Sequence, residues 1–127
     1  MDKRILVIED DGIIRLDIVT VLQALGYGVF KAGNGQSGIA IATKELPHCV
    51  ISDFNLPDMT GIQIIQHLKK CELLKHTKFV LCSGSLLEDD ILSIVDAHLA
   101  KPFNPRELTR VITKLLPVSS DTVSTRA

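Results

Sequence analysis

The sequence predicts a single α/β domain, a doubly wound five-stranded parallel sheet with helices on both faces. Two observations carry this. Short apolar runs alternate with stretches of helical period along the chain, five of each. The first run, RILVI, shows no polar alternation, as expected of a strand covered on both sides.

RILVI (4–8) is the first strand, and residues 13–25 place Ile14, Ile18, Val21, Leu22 and Leu25 on one helical stripe. Gly26 ends that helix as a left-handed cap would. YGVFKA (27–32) reads as the second strand and 35–45 as a short helix stopped before Pro47. CVIS (49–52) is the third strand, followed by a helix over 61–71 with Ile62, Ile65 and Leu68 inward. KFVLC (78–82), a helix over 86–95 and the short strand HLA (98–100) come next. The last helix has the clearest boundary: Asn104 as N-cap, Pro105 at N1 and Glu107 at N3 form a capping box. Leu108, Val111, Ile112 and Leu115 make its buried stripe, and Pro117 ends it. The domain is thus expected over 1–117, with a disordered polar tail over 118–127.

With 127 residues, one domain is allowed and two ordinary ones are not. Such a domain buries roughly two-thirds of its unfolded surface and needs no disulfide or metal staple. Apolar residues at 46% and charged ones at 23% are ordinary globular values. A net charge of −1 speaks against a nucleic-acid or membrane surface. The basic stretch HLKKCELLKHTK reads as a solvated helix end and loop. Cys49, Cys71 and Cys82 have no metal-ligand spacing and read as reduced thiols in or near the core. No run resembles a signal peptide or spans a bilayer, so a cytoplasmic protein is expected.

In such sheets ligands bind beyond the carboxyl ends of the strands. The first strand ends in Glu9–Asp10–Asp11, the third in Asp53, the fourth in Ser83 and the fifth in Lys101–Pro102. A lone Asp at a strand end often only starts an Asx turn. Asp53 is not alone, because strand one beside strand three brings Glu9, Asp10 and Asp53 into one crevice. Two unit charges at 4 Å repel by about 4 kcal/mol at an effective dielectric near 20, so such a cluster holds a proton or a cation. The donors are hard oxygens outside the EF-hand spacing, which favours a partly hydrated Mg2+. With Lys101 and the Ser83 hydroxyl beside it, the cluster is equipped to stabilise phosphoryl oxygens, and Asp53 to accept a phosphoryl group.

ILVIEDD, DFNLPDMTG, FVLCSG and LAKPF, in this order and separation over residues 4 to 116, resemble the receiver domains of two-component response regulators. The resemblance implies a flavodoxin-like strand order 2-1-3-4-5. It implies Asp53 as phospho-acceptor, with Asp10, Asp53 and the Asn55 main-chain carbonyl binding Mg2+ and Glu9 acting through water. Ser83 matches the family's hydroxyl and Lys101 its lysine. A histidine kinase or a phosphotransfer histidine protein is the implied donor, and a downstream protein or an output domain outside this chain the recipient. The resemblance also implies that the domain catalyses only its own phosphorylation and dephosphorylation. In the family the hydroxyl residue moves toward the phosphoryl group, and an aromatic side chain on the fifth strand turns into the vacated space. This chain departs there: His98 replaces Tyr or Phe, Gly84 replaces Ala, and VDAH stands where the family usually has Ala or Gly-Ala before the fifth strand. Ser83 and His98 are the expected switch pair, and a surface-facing strand residue without a switch role is the competing reading of His98. Burying His98 charged is costly, so it is expected to turn inward only when neutral.

Three other readings compete. GNGQSG (33–38) fits the dinucleotide fingerprint, with Asp53 about 20 residues on. It leaves the other strand ends unexplained, and a turn using Gly33 and Gly35, with Gly38 packed close to the sheet, accounts for it. A haloacid-dehalogenase-type phosphatase needs an acid two residues after its nucleophile, and Asn55 stands there. A receiver-like interaction module without phosphorylation is the third; labelling by acetyl phosphate with Mg2+ separates it.

Overall fold

The computed structural model describes residues 2–117, and the tail predicted over 118–127 lies outside the described residues. The elements run β1 (Arg4–Ile8), α1 (Gly12–Ala24), β2 (Gly28–Ala32), α2 (Gly35–Glu45), β3 (Cys49–Asp53), α3 (Gly61–Lys69), β4 (Lys78–Ser83), α4 (Asp89–Leu92), β5 (Ala97–Ala100) and α5 (Pro105–Leu115). A 3-10 turn over Glu72–Leu74 links α3 to β4. The strands pair in parallel in the order β2-β1-β3-β4-β5. The predicted class and order are the observed ones.

β1 sits inside the sheet and is buried from Ile5 to Ile8, which is why its sequence has no polar alternation. Its pleat divides the core in two. Ile5 and Val7 join Ile18, Leu22, Leu108 and Ile112 from α1 and α5 on one face. Leu6 and Ile8 join Ala42, Ile64, Ile65 and Leu68 from α2 and α3 on the other. Val19 and Ile64 are buried although the sequence stripes omitted them. At helix surfaces three residues per two turns understate a stripe that faces a broad sheet.

The caps follow their chemistry. Gly26 has φ +98, and the N–H groups of Gly26 and Tyr27 bond to the carbonyls of Gln23 and Leu22, a Schellman end. Tyr27 falls before β2 because its ring turns into the core, where its hydroxyl donates to the Leu116 carbonyl at 2.7 Å. Asn104 and Glu107 form the predicted capping box.

α4 is shorter than the predicted 86–95. The Ser93 hydroxyl donates to the Asp90 carbonyl at 2.7 Å, and Asp96 exchanges bonds with the Phe79 backbone at 2.7 and 2.8 Å. Those bonds pull the chain off the helical path and into β5. Leu86, predicted within the helix, is 100% exposed.

Gly35 is not a turn residue, contrary to the sequence reading. It is the first residue of α2, and neither it nor Gly33 has positive φ. Space is what Gly35 and Gly38 supply: an added Cβ would come within 2.4 Å of Met59 Cγ at Gly35 and of Ile8 Cδ1 at Gly38. Gly38 thus packs α2 close to the sheet, as expected.

Candidate functional site

The carboxyl ends of β1, β3 and β5 meet at one crevice. The three acids after β1 do different work. Glu9 continues alongside β2 through its N–H to the Ala32 carbonyl, and at 2% exposure it is buried. Asp10 is exposed at the mouth. Asp11 is the N-cap of α1, accepting from the N–H groups of Ile13 at 2.9 Å and Ile14 at 3.0 Å. A side-chain oxygen each from Glu9, Asp10 and Asp53 lie within 4.8 Å of one another.

Lys101 reaches into this cluster, its Nζ 2.9 Å from Glu9 Oε1 and 3.0 Å from Asp53 Oδ1. It is a held charge in this state. Glu9 Oε2 accepts from the Asp11 N–H at 3.1 Å, so both Glu9 oxygens are engaged. Asp53 Oδ1 also accepts from the Phe54 N–H at 2.9 Å. Among the described residues no donor is bonded to Asp53 Oδ2. Burial pushes the Glu9 carboxyl above its usual range, and the Asp53 charge adds to this, against the opposing bonds from Lys101 and Asp11. Burial pulls Lys101 down, but its bonds to Glu9 and Asp53 carry it above an ordinary lysine. Three carboxylates against one ammonium leave negative charge for a cation to neutralise, and every donor is a hard oxygen. The residues fit Mg2+.

Ser83 is 3% exposed at the end of β4, and its main-chain carbonyl accepts from the Lys101 N–H at 2.8 Å. Its hydroxyl is turned to its own loop, donating to the Ser85 carbonyl at 2.9 Å and accepting from the Ser85 N–H at 3.0 Å. So the structure joins Glu9, Asp10, Asp53 and Lys101 directly and holds the Ser83 hydroxyl aside. Asn55 is exposed in the loop after β3, bridged to Thr60.

His98 pairs in register with Leu81, which places it on the α3–α4 face of the sheet, opposite to Leu99. The side chain is half-buried. Its Nε2 is buried without a hydrogen-bond partner among the described residues.

Sequence reasoning missed three supports of this site. The Arg15 guanidinium donates to the Glu9 carbonyl at 2.7 Å and pins α1 to the end of β1. Gly61 packs so tightly that an added Cβ would lie 2.4 Å from the Asp53 carbonyl oxygen. Asp58 bonds to the first turn of α2, 22 and 23 residues away. Only Gly61 carried a local signal, its place at the start of a helix after a turn.

Comparison with known proteins agrees with this fold. The family model described as response regulator receiver domain matches residues 5–113. Sporulation initiation phosphotransferase F of Bacillus subtilis is 32% identical over 124 residues, spanning 95% of this chain and 99% of that protein. The phosphate regulon transcriptional regulatory protein PhoB of Pseudomonas aeruginosa is 31% identical over 84% of this chain, which spans 48% of that relative. Among solved structures, chemotaxis response regulator CheY4 of Vibrio cholerae superposes with a TM-score of 0.86 at 27% identity, covering 91% of this chain and all of that one. The Thermotoga maritima response regulator TrrA, solved in complex with Mg2+ and BeF, gives 0.82 at 29% identity, covering 90% and 99%.

Proposed function

The chain belongs to the response regulator receiver family of two-component systems, and on that premise we propose that Asp53 accepts a phosphoryl group from a phosphohistidine donor. The observation that carries this reading is the asymmetry of Asp53. Its Oδ1 is held by Lys101 and the Phe54 N–H, while Oδ2 is left without a bonded donor among the described residues. A side-chain oxygen of Asp53 lies within 4.8 Å of one each from Glu9 and Asp10.

In the transfer, a lone pair on Oδ2 forms the oxygen–phosphorus bond as the phosphorus–nitrogen bond to the donor imidazole breaks. The electron pair of that bond stays on the nitrogen. Hydrolysis by water later returns the carboxylate. Asp10, Asp53 and the Asn55 main-chain carbonyl are the residues to hold Mg2+, with Glu9 acting through water because both its oxygens already have partners. Bound there, Mg2+ supplies charge neutralisation for phosphoryl oxygens. Lys101 passes part of its contact from the carboxylates to the incoming oxygens. The Ser83 hydroxyl reaches them only by giving up the Ser85 carbonyl, which pulls on the loop leading to α4. His98, half-buried on the face that α4 covers, then turns further inward and gives its Nε2 a changed environment.

The donor is a histidine kinase or a phosphotransfer histidine protein, and the altered face around α4 and β5 is read by a downstream protein or by an output domain outside this chain. The match to nearly all of a Bacillus protein named as a phosphotransferase supports a relay role, and the PhoB match supports an output role. Mass spectrometry after acetyl phosphate and Mg2+ should find one labile adduct, absent from Asp53→Asn. An adduct surviving that substitution at unchanged yield overturns the assignment and leaves the unphosphorylated interaction module in its place.

A further inference from the structure

The loop from Phe54 to Thr60 carries Asn55 and so one of the proposed Mg2+ ligands. Inside the loop, Leu56 N–H donates to the Met59 carbonyl at 3.2 Å, and Gly61 N–H closes onto the Phe54 carbonyl at 2.7 Å. These bonds set the shape of the loop, and the Phe54 N–H anchors its start to the Cys82 carbonyl of β4 at 2.8 Å. Beyond Phe54, the loop's side-chain tether to another element is Asp58. Oδ1 accepts from the Gly35 N–H at 2.8 Å and Oδ2 from the Gln36 N–H at 2.9 Å, the first two donors of α2. Asn34 takes the third, from Ser37, at 2.8 Å. Met59 presses on Gly35, where no larger residue fits. The GNGQSG motif thus has its helix N-terminus filled by a carboxylate of the same chain.

We infer that Asp58 is a positioning residue for the site, clipping the loop that carries Asn55 to the first turn of α2. This deepens the phospho-acceptor reading and rests on it. Only Leu56 and Pro57 separate Asp58 from Asn55, and Pro57 restricts the chain on either side, so a shift at Asp58 is passed on to Asn55. Both carboxylate oxygens face N–H groups at the positive end of the helix, and these bonds hold the Asp58 carboxyl below the usual carboxylate range.

A structural cap alone would stabilise α2 without touching the site, and Asn34→Ala supplies that comparison. It removes a cap of the same helix with no bond to the loop. Wild type, Asp58→Ala, Asp58→Asn and Asn34→Ala are compared by amide exchange of Leu56 without metal and by calorimetric titration with Mg2+. In Asp58→Ala, Leu56 should exchange faster and Mg2+ affinity should fall by about tenfold, the low end for losing a support of a metal ligand. Asp58→Asn keeps an acceptor oxygen and should fall between. Asn34→Ala should melt earlier yet match wild type in both readouts. Wild-type Mg2+ affinity in both Asp58 variants, or an equal loss in Asn34→Ala, overturns the inference. A wild type that binds no Mg2+ overturns it as well. A wild type that binds Mg2+ yet takes no phosphoryl group from acetyl phosphate overturns the phospho-acceptor reading alone, and the exchange and affinity data still decide the role of Asp58.

Discussion

The setting of Asp53 is built by what surrounds its backbone as much as by what surrounds its carboxylate. Gly61 N–H bonds to the Phe54 carbonyl, and the Gly61 Cα lies against the end of β3. An alanine Cβ there would stand 2.4 Å from the Asp53 carbonyl oxygen, 2.8 Å from Leu81 Cδ1 and 3.0 Å from Ser52 Oγ. Backbone in the middle of a sheet cannot step aside as a long side chain can. Gly61→Ala should therefore destabilise by about 1–3 kcal/mol, the usual range for overpacking, and lower the rate of labelling at Asp53. Urea unfolding and the acetyl phosphate reaction check this together. Wild-type stability with wild-type labelling would mean that the loop relaxes freely and that the close approach has no part in placing Asp53.

The ends of the strands divide the labour between structure and chemistry. At the carboxyl end, acidic groups face one another and Lys101. At the amino end, polar groups close on backbone. Arg4 donates to the Glu45 and Leu46 carbonyls at the end of α2, and the Thr77 hydroxyl donates to the Pro47 carbonyl at 2.8 Å. His48 Nδ1 accepts the Arg4 N–H at 3.0 Å, which requires a neutral imidazole. Burial, together with the charges of Lys3 and Arg4, holds the His48 pKa below that of an ordinary histidine. In the linkage, the unfolded chain then binds the proton more readily than the folded one. This contribution is complete above the unfolded pKa of about 6.5 and is lost as pH falls from there toward the folded value. Its slope cannot exceed about 1.4 kcal/mol per pH unit. Glu9, with its raised pKa, has the opposite sign, so the comparison must be between proteins. His48→Asn should flatten the loss of stability between about pH 7 and pH 5.5 in urea titrations. Parallel curves for the two proteins would remove His48 from the account.

At the scale of the molecule, the order β2-β1-β3-β4-β5 sets β1 beside β3 and opens the acidic crevice between the ends of those two strands. The apo protein carries that repulsion, relieved in part by Lys101. A cation binding only the folded state stabilises it by RT ln(1 + [L]/Kd), about 1.4 kcal/mol at ten times Kd. Mg2+ should accordingly raise the melting temperature of wild type. Asp10→Asn should abolish the Mg2+ effect and Mg2+-dependent labelling while retaining the fold. Because Asp10 is exposed, relief of repulsion should make the apo variant more stable by no more than about 1 kcal/mol. An undiminished Mg2+ shift in Asp10→Asn would move the metal elsewhere. No helix among the described residues is long and apolar enough to cross a membrane.

The sequence by itself determined the class of fold, every strand, and the four residues Glu9, Asp10, Asp53 and Lys101 that the crevice joins. Strand burial and strand ends are written locally, in apolar runs that stop at a polar residue, so no long-range knowledge is needed to read them. Asn104 and Glu107 were legible for the same reason, since a capping box spans four residues. What the tertiary structure decided depends on partners far along the chain. RILVIEDD does not reveal which of its acids is a cap, and only the start of α1 shows that Asp11 is. The length of α4 was set by Asp96 pairing with Phe79 across 17 residues, where the sequence predicted a helix over the whole of 86–95. Asp58, Arg15 and the cramped face of Gly61 act through contacts that exist only once β3, α1 and α2 have packed. Local pattern fixes what a residue can offer, and packing alone decides which group receives it.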